Sequence, residues 1–381
     1  MADDLTNFII DRIRAAGPVT FACFMDWCLY HPVYGYYSSG TARIGKDGDF
    51  YTGPCVHPLF GSLVARQLCQ MNAILGEETF TILEIGGGRG FLCADILAWI
   101  RQHDPACYSR LDYCIAELSP YFCREQRERL TEEVSQGKVH WLSGEDLGAK
   151  DFSLRGCVLT NELVDAFPVH RVVGEEEGMR EIYVDEQDGC FIERRSSLSD
   201  PRLGAYFSAL GVQLAVGQEA EVNLQAGRWL QEMGRLLKRG FLMTIDYGCV
   251  AAELYDPWRR HGTLRCFYRH QLTDSPYENV GRQDITAHVD FTSLIRRGNE
   301  IGLDFTGLVP QYRFLMAMGF LEEMAEISRG MSPVESLQLR LSLKRLIDPE
   351  RGMGEIFKVL IQHRGVEKPE LRGLKALRAM E

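Results

Sequence analysis

"TILEIGGGRGFLCADIL", residues 81–97, decides how this chain is read. An apolar, β-branched run leads into Glu84, glycines follow at 86, 87, 88 and 90, and from Phe91 apolar residues recur at helical spacing. That is a strand, a bare turn and a helix, and a turn without side chains lets backbone come close to a ligand. The glycines read G-x-G-x-G. A dinucleotide fingerprint needs its third glycine one position later, where Phe91 stands, so the register disfavours NAD and FAD.

A nucleoside ligand without pyrophosphate has no phosphate to set on the helix amides and lies flatter over the turn. S-adenosylmethionine is such a ligand. Glu84 is placed to meet its methionine ammonium through water or backbone, while Gly86, Gly88 and Gly90 let the backbone approach. An acidic residue ending the next strand would hydrogen-bond both ribose hydroxyls, and "LDYCIAELSP" (111–120) supplies Glu117 there. Asp146 in "SGEDLGA", after the third strand, is a candidate for the adenine amine. In "KDGDFYT" (46–52), Gly48 offers a turn and Asp49 a carboxylate over the cofactor or the acceptor, an Asx-turn being its plain alternative.

Outward from this stretch, strands and helices alternate: strand 79–85, helix 91–102, strand 111–117, helix 120–136, strands 139–142 and 156–161, helix 223–238, strand 240–246. Alternation predicts a parallel α/β sheet with ligands at the carboxyl ends of its strands. Residues 3–16 and 21–29 read as helices, 169–194 as a hairpin-like piece, and 249–300 as an insertion rich in Tyr, His and Arg. "SPVE" (332–335) is a helix start, with Ser332 as cap and Glu335 as its capping-box partner, and the Leu337 to Ile347 pattern behind it reads as core.

The 381 residues are 45% hydrophobic and 25% charged, enough for a large core, with no repeat or low-complexity tract. A net charge of −11 opposes wholesale binding to nucleic acid and suits a basic protein partner. Twelve cysteines without a CxxC pair predict reduced, mostly buried thiols and no metal site. No 18-residue apolar span predicts a membrane insertion. The acidic start "MADDLTNFIIDRIRAAG" lacks the basic region of a secretory signal and the arginines of a transit peptide, so the expected location is the cytoplasm.

Eight stretches resemble one family: "FMDWCLYHPVYGYY", "GDFYTGP", "EIGGGRG", "AELSP", "NELVDAFPVH", "IDYG", "GTLRCFYRH" and "DITAHVDFTSL". In their order, from about residue 17 to about 320, they are similar to the MidA-like methyltransferases, whose eukaryotic members are mitochondrial complex I assembly factors that symmetrically dimethylate an arginine. The resemblance implies an α/β fold with a Rossmann-like seven-stranded methyltransferase sheet and S-adenosylmethionine as cofactor. It implies a cofactor-covering cap over 1–76 and a methyltransferase domain over 77–381 with a helical insertion at about 249–330. It also implies a protein substrate with an accessible arginine, such as a respiratory complex I subunit, and a homodimer is considered. One departure stands out: where the family has a proline, a glutamate and a serine after the threonine, this chain reads "TGPCVHPLFG", with Cys55 and His57 in the polar slots.

Methyl transfer needs an in-line nucleophile, so positioning dominates. An arginine acceptor is a planar cation that must be held while a proton leaves, and carboxylates pair with that fork. "TNELVDAFP" sets Asn161, Glu162 and Asp165 beyond the fourth strand. Asn161 is expected to hold the acceptor or backbone, and Glu162 and Asp165, three apart, to clamp the guanidinium if the segment turns helically. The plain alternative makes Glu162 a helix cap and pairs Asp165 with Arg171. Asp246 is placed to touch substrate or merely end its strand, Tyr36 and Tyr37 to pack on the ligand or in the core, and His288 to be structural or a base. A nonenzymatic assembly factor that keeps the cofactor fold, and a small-molecule methyltransferase, are the competing readings.

Overall fold

The computed structural model describes residues 2–40, 53–269, 271–273, 275–350 and 352–375. Its central sheet has seven strands in one path: β1 (Phe80–Ile85), β2 (Leu111–Ala116), β3 (Val139–Trp141), β4 (Leu154–Asn161), β5 (Leu237–Cys249), β6 (Asp304–Pro310) and β7 (Phe357–Arg364). They lie in the order β3-β2-β1-β4-β5-β7-β6, and a short eighth strand, Val289–Asp290, pairs with the end of β5. β1 to β5 run parallel, whereas β7 is antiparallel to both its neighbours.

The helices that position the site are α1 (Ala2–Ala16), α2 (Phe21–Tyr30), α3 (Leu59–Leu75), α4 (Phe91–His103), α5 (Pro105–Arg110), α6 (Pro120–Arg129), α7 (Gly144–Gly148), α8 (Leu224–Leu236), α9 (Phe291–Glu300) and α10 (Pro333–Ile347). Alternate strand residues sort to opposite faces, as the pleat requires. Phe80, Ile82, Tyr113, Ile115, Phe241 and Met243 pack with α3 and α4, while Leu83, Cys114, Val158 and Leu242 pack with α8 and α9. Both faces are covered, which is why these strands read as continuous apolar runs.

The expected strands and helices of this sheet stand within a few residues of their predicted limits. Three features differ. The 169–194 hairpin belongs to a five-stranded antiparallel sheet of Val19–Thr20, His170–Glu175, Gly178–Gln187, Cys190–Ser196 and Glu219–Val222. The insertion expected to be helical at about 249–330 opens with one short helix, Ala251–Leu254, and a three-stranded sheet of Arg265–Tyr268, Gln271–Thr273 and Asp284–Thr286, and turns helical only beyond it, in α9, Gln311–Ala317 and Phe320–Ile327. α3, assigned by sequence to the cap, lies in the central core instead, because Leu63, Val64, Leu68 and Met71 line one apolar stripe.

The rest of the amino terminus joins the two added sheets. Leu5, Ile9, Phe21, Phe24, Met25 and Tyr36 share one cluster with Val184, Cys266 and Ile285. Cap and insertions are therefore one body. The Ser332 capping box forms as predicted, but α10 is less buried than its pattern suggests. Leu337 and Leu341 are 57% and 59% exposed, while Leu343 and Leu346 are buried. Leucines at every second position cannot share one face of a helix.

Across the sheet centre, Thr81, Gly156 and Gly240 are neighbours in register. Gly240 has φ 138, and a Cβ there would lie 1.9 Å from the Gly156 carbonyl oxygen. Gly240→Ala should therefore cost at least about 2 kcal/mol in urea unfolding, combining backbone strain with overpacking against main chain that cannot swing away. Unchanged stability would show that the strands separate there at no cost.

Candidate active site

The carboxyl ends of β1, β2 and β4 open into a cavity of ≈ 340 Å³, a size suited to a nucleoside-containing ligand. Its floor is the glycine turn. Gly86 and Gly88 have φ 71 and 51. A Cβ on Gly87 would stand 3.2 Å from Ile115 and 3.5 Å from the Glu84 carboxyl. Glu84, Gly86 and Gly88 line the cavity; Gly90 does not, its φ of 75 being used to start α4.

Glu117, ending the strand beside β1, lines the cavity and also holds the turn. Its Oε2 accepts the Gly88 N–H at 3.1 Å and its Oε1 the Ser119 N–H at 2.8 Å. Burial raises its pKa against those hydrogen bonds. Gln126 completes the arrangement, donating to Gly88 O at 2.7 Å while accepting from Trp141 Nε1 at 2.7 Å. Sequence reasoning missed it. The available signal was its place four residues after Phe122, on the buried face of α6. Glu84 accepts from the Tyr113 hydroxyl at 2.9 Å, and burial lifts its pKa to about 7.

Asp146 is a correction. Its Oδ2 accepts from Ser143 N at 2.8 Å and Oγ at 2.7 Å, closing a capping box on α7. Those bonds hold it below the usual carboxylate range, and it faces its own helix end. Ser143, Gly144 and Leu147 line the cavity in its place. A Ser followed three residues on by Asp is itself a capping signal. Gly48 and Asp49 lie outside the described residues.

At the opposite wall, Asn161 and Glu162 face the cavity and Asp165 does not. Glu162 sits at φ 53 and the segment makes no helix, so the three-residue spacing does not bring both carboxyls to one side. Glu162 Oε1 accepts from Asn161 Nδ2 at 3.0 Å and Gly53 N at 3.2 Å. Burial and the nearby Asp165 raise its pKa to about 8. Asn161 Oδ1 is buried without a hydrogen-bond partner among the described residues.

Asp165 lies behind this wall, 5% exposed, with its pKa raised well above the carboxylate range by burial and then by Asp246 and Asp284. It meets the Tyr247 hydroxyl, not Arg171, whose partners are Glu193 and Glu219. Asp246 touches no cavity surface. Its Oδ2 gathers the N–H groups of Leu163, Val164 and Asp165 at 3.2, 2.8 and 3.4 Å. Tyr37 lines the cavity and donates to Asp284 at 2.7 Å, while Tyr36 is core. Cys55 lines the cavity; His57 is turned to the start of α3, where Nδ1 accepts from Leu59 N at 3.0 Å. His288 packs edge-on against Tyr247, away from the cavity, and burial lowers its pKa to about 4.

Residues 63–309 match a family model described as S-adenosyl-L-methionine-dependent methyltransferase. Protein arginine methyltransferase NDUFAF7 of Danio rerio is 28% identical over 93% of this chain and 85% of its own length, and that of Homo sapiens 27% over 95% and 84%. A crystal structure of a Burkholderia thailandensis protein bound to S-adenosyl-homocysteine is 31% identical, covers 98% of this chain and 94% of its own, and has a TM-score of 0.87. The curated relatives are mitochondrial. That overturns the cytoplasmic expectation drawn from the acidic amino terminus.

Two outcomes follow for S-adenosyl-homocysteine binding measured by calorimetry. Glu117→Ala should weaken it by about 1 to 3 kcal/mol, the worth of charge-assisted hydrogen bonds, and equal affinity would remove Glu117 from the site. Glu84 holds its proton until about pH 7 and must lose it to pair with an ammonium. Affinity should therefore rise roughly tenfold from pH 6 to pH 8, and a flat profile would take Glu84 off the ligand.

Proposed function

The chain belongs to that family of S-adenosyl-L-methionine-dependent methyltransferases, and we propose that its acceptor is the guanidinium of an arginine in a protein. The observation that carries the proposal is the wall formed by Asn161 and Glu162: an acceptor oxygen with no partner beside a carboxyl that burial leaves protonated at neutral pH. Both want a hydrogen-bonding cation. The names of the curated relatives support the same acceptor, and the family resemblance extends it to one methyl on each terminal nitrogen.

The residues present fit the cofactor. Glu117 and Glu84 line the cavity, where Glu117 would take the ribose hydroxyls and Glu84 the methionine ammonium, and the glycine turn leaves room where a Cβ would intrude. Bound there, S-adenosylmethionine supplies an electrophilic methyl on a sulfonium. Everything else falls to side chains. An arriving guanidinium favours the ionised form of Glu162, so its proton leaves as the cation docks. The planar fork then donates to Glu162 and to Asn161 Oδ1, which fixes the plane of the guanidinium and turns one nitrogen toward the glycine floor.

The nitrogen that takes the methyl must shed a proton. Glu162, in a site where a carboxyl ionises near pH 8 without a cation, can accept it. Asp165 is outside this clamp; with Asp246 it supports the loop from behind.

Glu162→Gln separates the roles. In the empty protein the folded pKa of Glu162 lies near 8, above its unfolded value. The folded state therefore binds the extra proton, and stability falls as pH rises from about 4.5 through 8. The Gln variant should lose that part of the slope, melt no earlier than wild type at pH 8.5, and lose radiolabelled methyl transfer to protein arginine by at least about 100-fold. A variant that melts clearly earlier yet keeps its activity would sink the clamp. Mass spectrometry of arginine methylation in cell lysate, with and without the gene, tests the acceptor class itself.

A further inference from the structure

Outside the cavity, two helices bring together donors that the methyltransferase reaction does not use. Cys69 of α3 meets Cys107 of α5 and Asp104, which starts α5, and the two sulfurs and a carboxylate oxygen lie within 4.8 Å of one another. Cys107 is 1% exposed and Cys69 partly so. Asn72, one helical turn beyond Cys69, is 2% exposed and turned to the same cluster, donating to Cys107 Sγ at 3.1 Å. Its other amide atom, Oδ1, has no partner among the described residues. A buried amide oxygen left unsatisfied beside two thiols and a carboxylate needs a chemical reason.

We propose that Cys69, Asp104 and Cys107 bind a zinc ion that ties α3 to the α4–α5 corner. Two thiolates and a carboxylate are donors that zinc takes at tetrahedral spacing, and their present separation needs only a small contraction. Asn72 Nδ2 supplies the N–H bond that a metal-bound thiolate accepts from outside its ligand set. A water in the fourth position would find Asn72 Oδ1 as its acceptor. Binding releases the thiol protons to solvent.

The linear sequence hides this site because its ligands are 35 residues apart, with only D-x-x-C (104–107) as local spacing. α4 separates it from the glycine turn by 13 residues, about 20 Å at helical rise, so the ion would brace the scaffold and take no part in methyl transfer. A second cluster, Asp112, Cys114 and His140, is less suited. Its imidazole is already divided between Cys114 at 3.1 Å and Asp112 at 3.4 Å, and it is half exposed.

The full chain, reduced and stripped with chelator, is titrated with zinc sulfate in a calorimeter. One zinc per chain at submicromolar Kd, proton release that scales with buffer ionisation enthalpy, and a higher Tm with zinc are expected. Cys69→Ser and Cys107→Ser should each weaken uptake at least 100-fold. Should those variants fail to fold, Asp104→Asn keeps the helix cap and should still weaken uptake about tenfold. No stoichiometric uptake by wild type overturns the site, as does uptake that survives Cys69→Ser and vanishes in His140→Ala. Recovery of Cys69 and Cys107 joined as a disulfide in freshly purified protein overturns it too.

Discussion

The architecture of the site depends on one carboxylate that never reaches the cavity. Where the chain leaves β4, Asp246 Oδ2 draws in three successive amides, Leu163, Val164 and Asp165, and Oδ1 takes that of Tyr247 at 2.9 Å. Each amide left unpaired in that interior would cost about 1 to 3 kcal/mol, so the turn has one way to close. Closing it turns Glu162 and Asn161 to the cavity and Asp165 away. The same turn anchors the covering body. Ala166 O accepts from the Tyr30 hydroxyl at 3.0 Å, and Asp165 O accepts from Ala287 N at 3.0 Å. Sheet, cap and insertion thus meet on five residues.

That geometry gathers carboxyl groups where water is scarce. Glu84, Glu162, Asp165 and Asp246 are all pushed up by burial, and none makes an ion pair among the described residues. The contrast with Arg171 is instructive: an equally sheltered cation is met by both Glu193 and Glu219. A structural charge comes with its partner, whereas Glu84 and Glu162, the two that face the cavity, hold their protons more tightly than free carboxyls until a cation arrives. With the proposed arginine acceptor, the ligand pair would bring an ammonium, a sulfonium and a guanidinium as such cations. The strain of the empty site is then part of what makes docking favourable.

The sheet was legible because burial on both faces leaves uninterrupted apolar runs, and the glycine turn because only bare backbone survives where Gly87 faces Ile115 and Glu84. Glu117 was legible from position alone. The acidic residues downstream were not, because their roles depend on partners far away in sequence. Asp165 and Asp246 are 81 positions apart, and only the fold shows which one points at the cavity and which one holds the loop. Asp146 was misread because a three-residue capping contact and a distant ligand draw on the same residue type. Gln126 gave only a weak mark, a polar residue on an apolar helix face. The five-stranded sheet escaped because Val19–Thr20 and Glu219–Val222 are too short to carry a period of their own.

Position 55 bears on how the acceptor end is charged. The resemblance leads to a glutamate there, and this chain presents Cys55 to the cavity. A glutamate would set a second carboxyl near Glu162, and two neighbouring carboxyls would raise each other's proton affinity, as Asp165 already does to Glu162. With a thiol, the wall would offer one carboxyl and one amide oxygen to the proposed guanidinium acceptor. Before transfer, the charges on carboxylate and guanidinium cancel. After transfer, the methylated guanidinium still carries one positive charge, and the proton it shed sits on Glu162. On the proposed acceptor the wall would then be neutral against a cation, its hold weaker than before the reaction, and product would leave more readily than substrate. Restoring the carboxylate requires only that this proton reach solvent, after which a second arginine nitrogen meets the same wall.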